Sequence, residues 1–67
     1  MNNIGAKIKS EREAKGLLQK DLAQVLGLKA STVACYETNH IRPSYEVLIA
    51  LADYFEVTTD YLLGRED

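Results

Sequence analysis

The 67 residues provide for one domain, spanning 1–67, and a chain this short buries only about 60% of its unfolded surface, which excludes a deep active site flanked by a second domain. Apolar residues make up 46% and charged residues 27%, the balance of a folded chain rather than a disordered one, and the lone Cys35 excludes an internal disulfide framework and suits a reducing cytoplasm. The formal net charge of −2 hides an asymmetry, +3 over residues 1–43 and −5 over residues 44–67, and the start Met1-Asn2-Asn3-Ile4 has neither the charge nor the apolar run of a secretion signal or membrane span.

Alternation of the strand kind is absent, and the apolar spacing predicts five short helices. Asn3 caps the first, which sets Ile4 and Ile8 on one face, continues through Arg12 and stops before Gly16. A second runs from about Gln19 to Leu26 with Leu22, Ala23 and Leu26 on one stripe, and Gly27 ends it. A third runs from Ala30 to about Thr38, where Asn39 is a plausible left-handed stop. Residues 39–43 form a loop. Ser44 caps a fourth helix with Leu48, Leu51, Ala52 and Phe55 inward, and Thr58 caps a fifth whose Leu62 and Leu63 close the core.

The join between the second and third helices carries the most information. Only Gly27, Leu28 and Lys29 separate them, and two helices joined so tightly must cross steeply. The spacing admits both a DNA-reading helix-turn-helix at about 19–38 and a generic helical hairpin.

Several segments then fall in a telling order: Lys15-Gly16-Leu17, Gln19-Lys20-Asp21-Leu22-Ala23, Leu26-Gly27-Leu28, Ser31-Thr32-Val33, Tyr36-Glu37, Arg42-Pro43-Ser44 and Asp60-Tyr61-Leu62-Leu63-Gly64. Over residues 8–63 the chain resembles the Cro/cI-type, or XRE-like, helix-turn-helix family of phage and bacterial repressors. The resemblance implies an all-α, compact five-helix bundle of the lambda-repressor-like kind. It also implies a cytoplasmic transcriptional regulator, more often a repressor, that binds double-stranded DNA as a homodimer on an inverted repeat. Arg12 and Glu37 are similar to a pair that family members use as an internal salt bridge; taken alone, both also read as solvated surface charges.

The residues agree with that picture. Ala23 is small enough for the third helix to approach, and Val33 and Tyr36 point to the core. Ala30, Ser31, Ala34 and Cys35 point the opposite way, into the major groove. Two departures stand out. Leu18 and Lys29 occupy positions where the family usually has a capping side chain, each loss amounting to about 1 kcal/mol. The outer face of the third helix also lacks the Gln, Arg or Asn that pairs bidentately with bases, a contact worth ~1–3 kcal/mol of discrimination. The expected reader therefore leans on thymine methyls at Ala30 and Ala34, one hydrogen bond from Ser31, and DNA shape. Gln19 and Lys29 supply base or phosphate contacts, and Thr32, Thr38, Asn39, His40 and Arg42 contact phosphates together with backbone amides at helix starts. The competing readings are a surface that has drifted toward binding protein, an idle loop histidine, and a Cys35 that is either a small apolar contact or an exposed redox sensor.

No catalytic, metal or cofactor site is expected, because Cys35 and His40 are the only soft or imidazole ligands. Tyr45, Ile49, Tyr54 and Tyr61, with Val47 beside them, fall outside the inward stripe and are assigned to a two-fold contact that sets two third helices about 34 Å apart. The rivals are an antitoxin or anti-regulator whose main ligand is a protein, with DNA binding for autoregulation, and a structural bundle that binds no DNA.

Overall fold

The computed structural model describes residues 3–65, which form five helices and, among the described residues, no strand. α1 (Ile4–Ala14) starts where the Asn3 side chain accepts from the Ala6 N–H at 3.0 Å. α2 (Gln19–Leu26) ends at Gly27, whose φ of 70° is the left-handed value that lets the chain turn within three residues into α3 (Ala30–Glu37). α4 (Tyr45–Phe55) is capped by Ser44 through the Val47 N–H, and α5 (Thr59–Leu62) by Thr58 through the Tyr61 N–H. Asn39 takes a φ of 62°, the left-handed stop its side chain tolerates better than most.

The core is Ile8, Leu22, Ala23, Val33, Tyr36, Leu51, Ala52, Phe55 and Leu62, drawn from all five helices. α2 and α3 form the closest pair, with Ala23 buried between them. Leu26 and Leu48, expected on the inward stripes, sit half-buried at the core's edge, as does Leu63. No helix among the described residues is long and apolar enough to cross a membrane.

Three features were not expected from the sequence. Gly5 packs against the last turn of α3, where an added Cβ would lie 2.5 Å from the Glu37 carbonyl oxygen and 2.6 Å from that of Tyr36. Glu56, a residue with a Cβ, ends α4 in the left-handed region at φ 58°. Tyr54 and Tyr61 do not stand clear of the bundle: both are half-buried against the core. The Lys15 ammonium lies 5.2 Å from the Tyr54 ring centroid. Lys7 lies 4.7 Å from that of Tyr61, whose hydroxyl donates to Glu11 at 3.2 Å. These contacts fasten α1 onto α4 and α5.

Candidate nucleic-acid interface

α3 presents two chemically different sides. Val33, Tyr36 and Glu37 are buried on the inner side. Ala30 and Ser31 are exposed on the outer side, with Thr32, Ala34 and Cys35 half-buried. Its first turn carries no acidic residue, and Lys29 at the N-cap is exposed and makes no side-chain cap, so the first-turn amides of α3 keep their partial positive charge. α2 starts differently. Leu18 has no side-chain acceptor, and only the reverse half of a capping box forms, with the Leu18 N–H donating to Asp21 Oδ2 at 2.8 Å.

The orientation of α3 is held by charge. Arg12 Nε donates to Glu37 Oε2 at 2.6 Å and Nη2 to Oε1 at 3.1 Å, while Nη1 donates to the Leu17 carbonyl at 2.6 Å. Both residues of the pair are buried, and every buried side-chain polar atom among the described residues has a partner. The hydrogen bond to Glu37 outweighs the opposing effect of burial and holds the Arg12 guanidinium above its ordinary pKa. One guanidinium thus ties α1, the approach to α2 and the end of α3.

The residues assigned to DNA contact divide into free and engaged groups. Lys29, Ala30, Ser31, His40 and Arg42 are exposed. Gln19 is half-buried, and its Nε2 donates to Glu37 Oε1 at 3.1 Å. The Thr38 hydroxyl turns back to the carbonyls of Ala34 and Cys35. Asn39 bridges to the start of α1, accepting from the Gly5 N–H at 3.0 Å and donating to Asn3 Oδ1 at 2.8 Å. The side chains of Thr38 and Asn39 therefore shape the turn after α3. Sequence reasoning missed the Gln19–Glu37 and Asn3–Asn39 links because they join residues 18 and 36 positions apart. Of the four residues assigned to a two-fold contact, Tyr45 and Ile49 are exposed, at 77% and 40%, whereas Tyr54 and Tyr61 have the intramolecular partners given above.

A family model described as helix-turn-helix matches residues 8–62. The chain belongs to the XRE-type helix-turn-helix family. Among curated relatives of this XRE-type chain, the HTH-type transcriptional regulator AnsR of Bacillus subtilis (strain 168) is 47% identical over 55 residues, covering 82% of this chain and 47% of AnsR. The HTH-type transcriptional regulator ImmR of the same organism is 31% identical over 65 residues, covering 97% of this chain and 51% of ImmR. The chain spans about half the length of the curated relatives it matches. Among solved structures, the P22 c2 repressor in complex with synthetic operator 9T superposes with a TM-score of 0.90 at 24% identity, over 98% of this chain and 100% of that one. The biofilm regulator SinR in complex with DNA superposes at 0.79 with 31% identity, over 90% of this chain and 97% of that one. The shared fold is the five-helix repressor fold, with α2 and α3 as its helix-turn-helix.

Proposed function

We propose that this XRE-type protein binds double-stranded DNA with its α3 in the major groove and represses transcription in the cytoplasm as a homodimer on an inverted repeat. The observation that carries the reading is the outer face of α3: Ala30 and Ser31 exposed, Ala34 and Cys35 beside them, on a helix whose other side is locked into the core by Val33, Tyr36 and Glu37. SinR, a relative in fold and sequence, has been crystallised with DNA. Lys29 at one end of α3, and His40 and Arg42 beyond the other, are exposed and placed to meet phosphates on either side of a groove.

With small side chains on that face, sequence is read through thymine methyls, one Ser31 hydrogen bond, the Gln19 amide and DNA shape. Tyr45 and Ile49, exposed one turn apart on α4, are the residues proposed for a two-fold contact.

The test is selection of bound duplexes from a random pool at two salt concentrations. A palindromic, thymine-containing consensus is expected, with affinity falling steeply as salt rises. Binding that is absent at low salt rejects the reading, and a strict GC-rich consensus rejects the methyl-reading face. Sedimentation with a palindromic duplex gives the stoichiometry: two chains per duplex are expected, and one chain per palindrome removes the homodimer.

A further inference from the structure

We infer that Glu37 is a positioning residue for base reading: through Gln19 Nε2 it turns the Gln19 carbonyl oxygen outward, as an acceptor for an exocyclic amino group in the major groove, adenine N6 or cytosine N4. The inference rests on the proposed DNA-binding reading.

A carboxylate only accepts hydrogen bonds, so the Gln19 group facing Glu37 Oε1 at 3.1 Å is the amide nitrogen and not the oxygen. The carboxylate itself does not swing, because Arg12 Nε holds Oε2 at 2.6 Å and Nη2 holds Oε1 at 3.1 Å, and its side chain is 3% exposed. Gln19 is half-buried at the first position of α2, and the Arg12 bond to the Leu17 carbonyl pins the backbone two residues before it. Two of the three degrees of freedom that let a surface glutamine read any base, its reach and its flip, are thereby taken away. Donation to a charged acceptor also polarises the amide and makes its carbonyl oxygen a stronger acceptor.

The unengaged acceptor selects its ligand. A phosphate oxygen accepts only, so it has nothing to offer that oxygen. In the major groove the donors are adenine N6 and cytosine N4, whereas guanine O6 and thymine O4 are acceptors. The short side chains of Ala30 and Ser31 at the start of α3 leave no long group on the neighbouring helix to hold the groove floor away from Gln19.

Replacing Glu37 by glutamine inverts this arrangement. The bond from Arg12 Nε at 2.6 Å keeps a carbonyl oxygen opposite it, which puts the new amide nitrogen opposite Gln19. Gln19 must then flip, accept with its oxygen and present its nitrogen outward. The preference at that base position changes from amino bases to keto bases, guanine or thymine.

The experiment measures competition by duplexes carrying all four bases at each position of the selected site, for the wild type, Gln19→Met and Glu37→Gln. The wild type is expected to favour adenine or cytosine at one position per half-site by about 10-fold, the profile stating which of the two; Gln19→Met levels that position alone. Glu37→Gln is expected to move the same position to guanine or thymine while the others keep their order. Should Glu37→Gln fail to fold, the double variant Arg12→Met with Glu37→Met removes the carboxylate without burying an unpaired charge; the position should then lose its preference, its Gln19 amide being free to rotate. A uniform loss across all bases in Gln19→Met places Gln19 on the backbone and overturns the inference while DNA binding stands. An unchanged profile in a folded Glu37 variant overturns the positioning role. Absence of binding to any duplex by the wild type removes the underlying reading and the inference with it.

Discussion

Truncating Arg12 to alanine takes away three hydrogen bonds at once, two to Glu37 at 2.6 and 3.1 Å and one to the Leu17 carbonyl at 2.6 Å. The Glu37 side chain is 3% exposed, and afterwards only Gln19 Nε2, at 3.1 Å, faces it. A buried charge that loses its partner destabilises a fold by ~3–5 kcal/mol, and we expect a value near the lower bound, about 3 kcal/mol, since one neutral donor remains. A chain of 67 residues has a total stability of roughly 3–10 kcal/mol, so Arg12→Ala brings the fold to its margin and lowers Tm by roughly 12–24 °C. The assay is urea unfolding followed by circular dichroism at low temperature. The decisive comparison is Arg12→Met combined with Glu37→Met, which exchanges the pair for apolar groups and leaves no buried charge; it should recover most of the loss. The pair is indifferent to ordinary pH: a cation whose folded pKa is raised gives stability that is lost only as pH climbs through that raised value, beyond about 12 here. An unchanged midpoint for Arg12→Ala, or a double variant no better than the single one, would refute the reasoning.

Other substitutions test other joints of the molecule. Gly5→Ala sets a Cβ 2.5 Å from the Glu37 carbonyl oxygen and must push α1 off α3, a loss of about 1–3 kcal/mol in urea unfolding; a neutral result contradicts the close approach. Glu56→Gly relieves a left-handed conformation at φ 58° and should raise stability by about 1 kcal/mol, read as a higher Tm. Leu18→Ser supplies the missing N-cap acceptor opposite an Asp21 that already accepts from the residue 18 N–H, for a gain of about 1 kcal/mol; Leu18 is 59% exposed, so little burial is forgone, and a lower midpoint would speak against the cap argument. The Glu11 carboxylate, by its charge and then by its hydrogen bond, raises the Tyr61 pKa above 10, so stability from this contact is intact below pH 10 and drains away as pH rises through the raised value. Spectrophotometric titration should show Tyr61 ionising earlier in Glu11→Gln, and an unmoved titration argues against the contact.

Local chemistry explains what could be read early and what could not. Helix boundaries follow from groups that act within a few residues: the Asn3, Ser44 and Thr58 caps, the left-handed Gly27, and apolar spacing that sends Val33 and Tyr36 inward and leaves Ala30 and Ser31 outside. The Arg12–Glu37 pairing came into view only as a likeness to relatives, because a pair 25 positions apart leaves no local trace. The same distance problem hid the Asn39 bridge to Asn3 and the second partner of Glu37, and so gave Gln19 and Asn39 a freedom they do not have. Tyr54 and Tyr61 looked outward on a helical wheel, but lysines of α1 cover their rings. A glycine inside the first turn of α1, at a place where alanine would suit the helix better, was the one local sign of the crowding at Gly5.

The amino-acid order by itself determined the five helices, their caps and the tight α2–α3 turn, because propensity, capping and apolar period act over one or two turns of chain. Only the tertiary structure decided which polar side chains stay available to a ligand and which are spent holding helices together. Burial next to a distant partner sets that, and packing in three dimensions brings Arg12, Gln19 and Glu37 to one point.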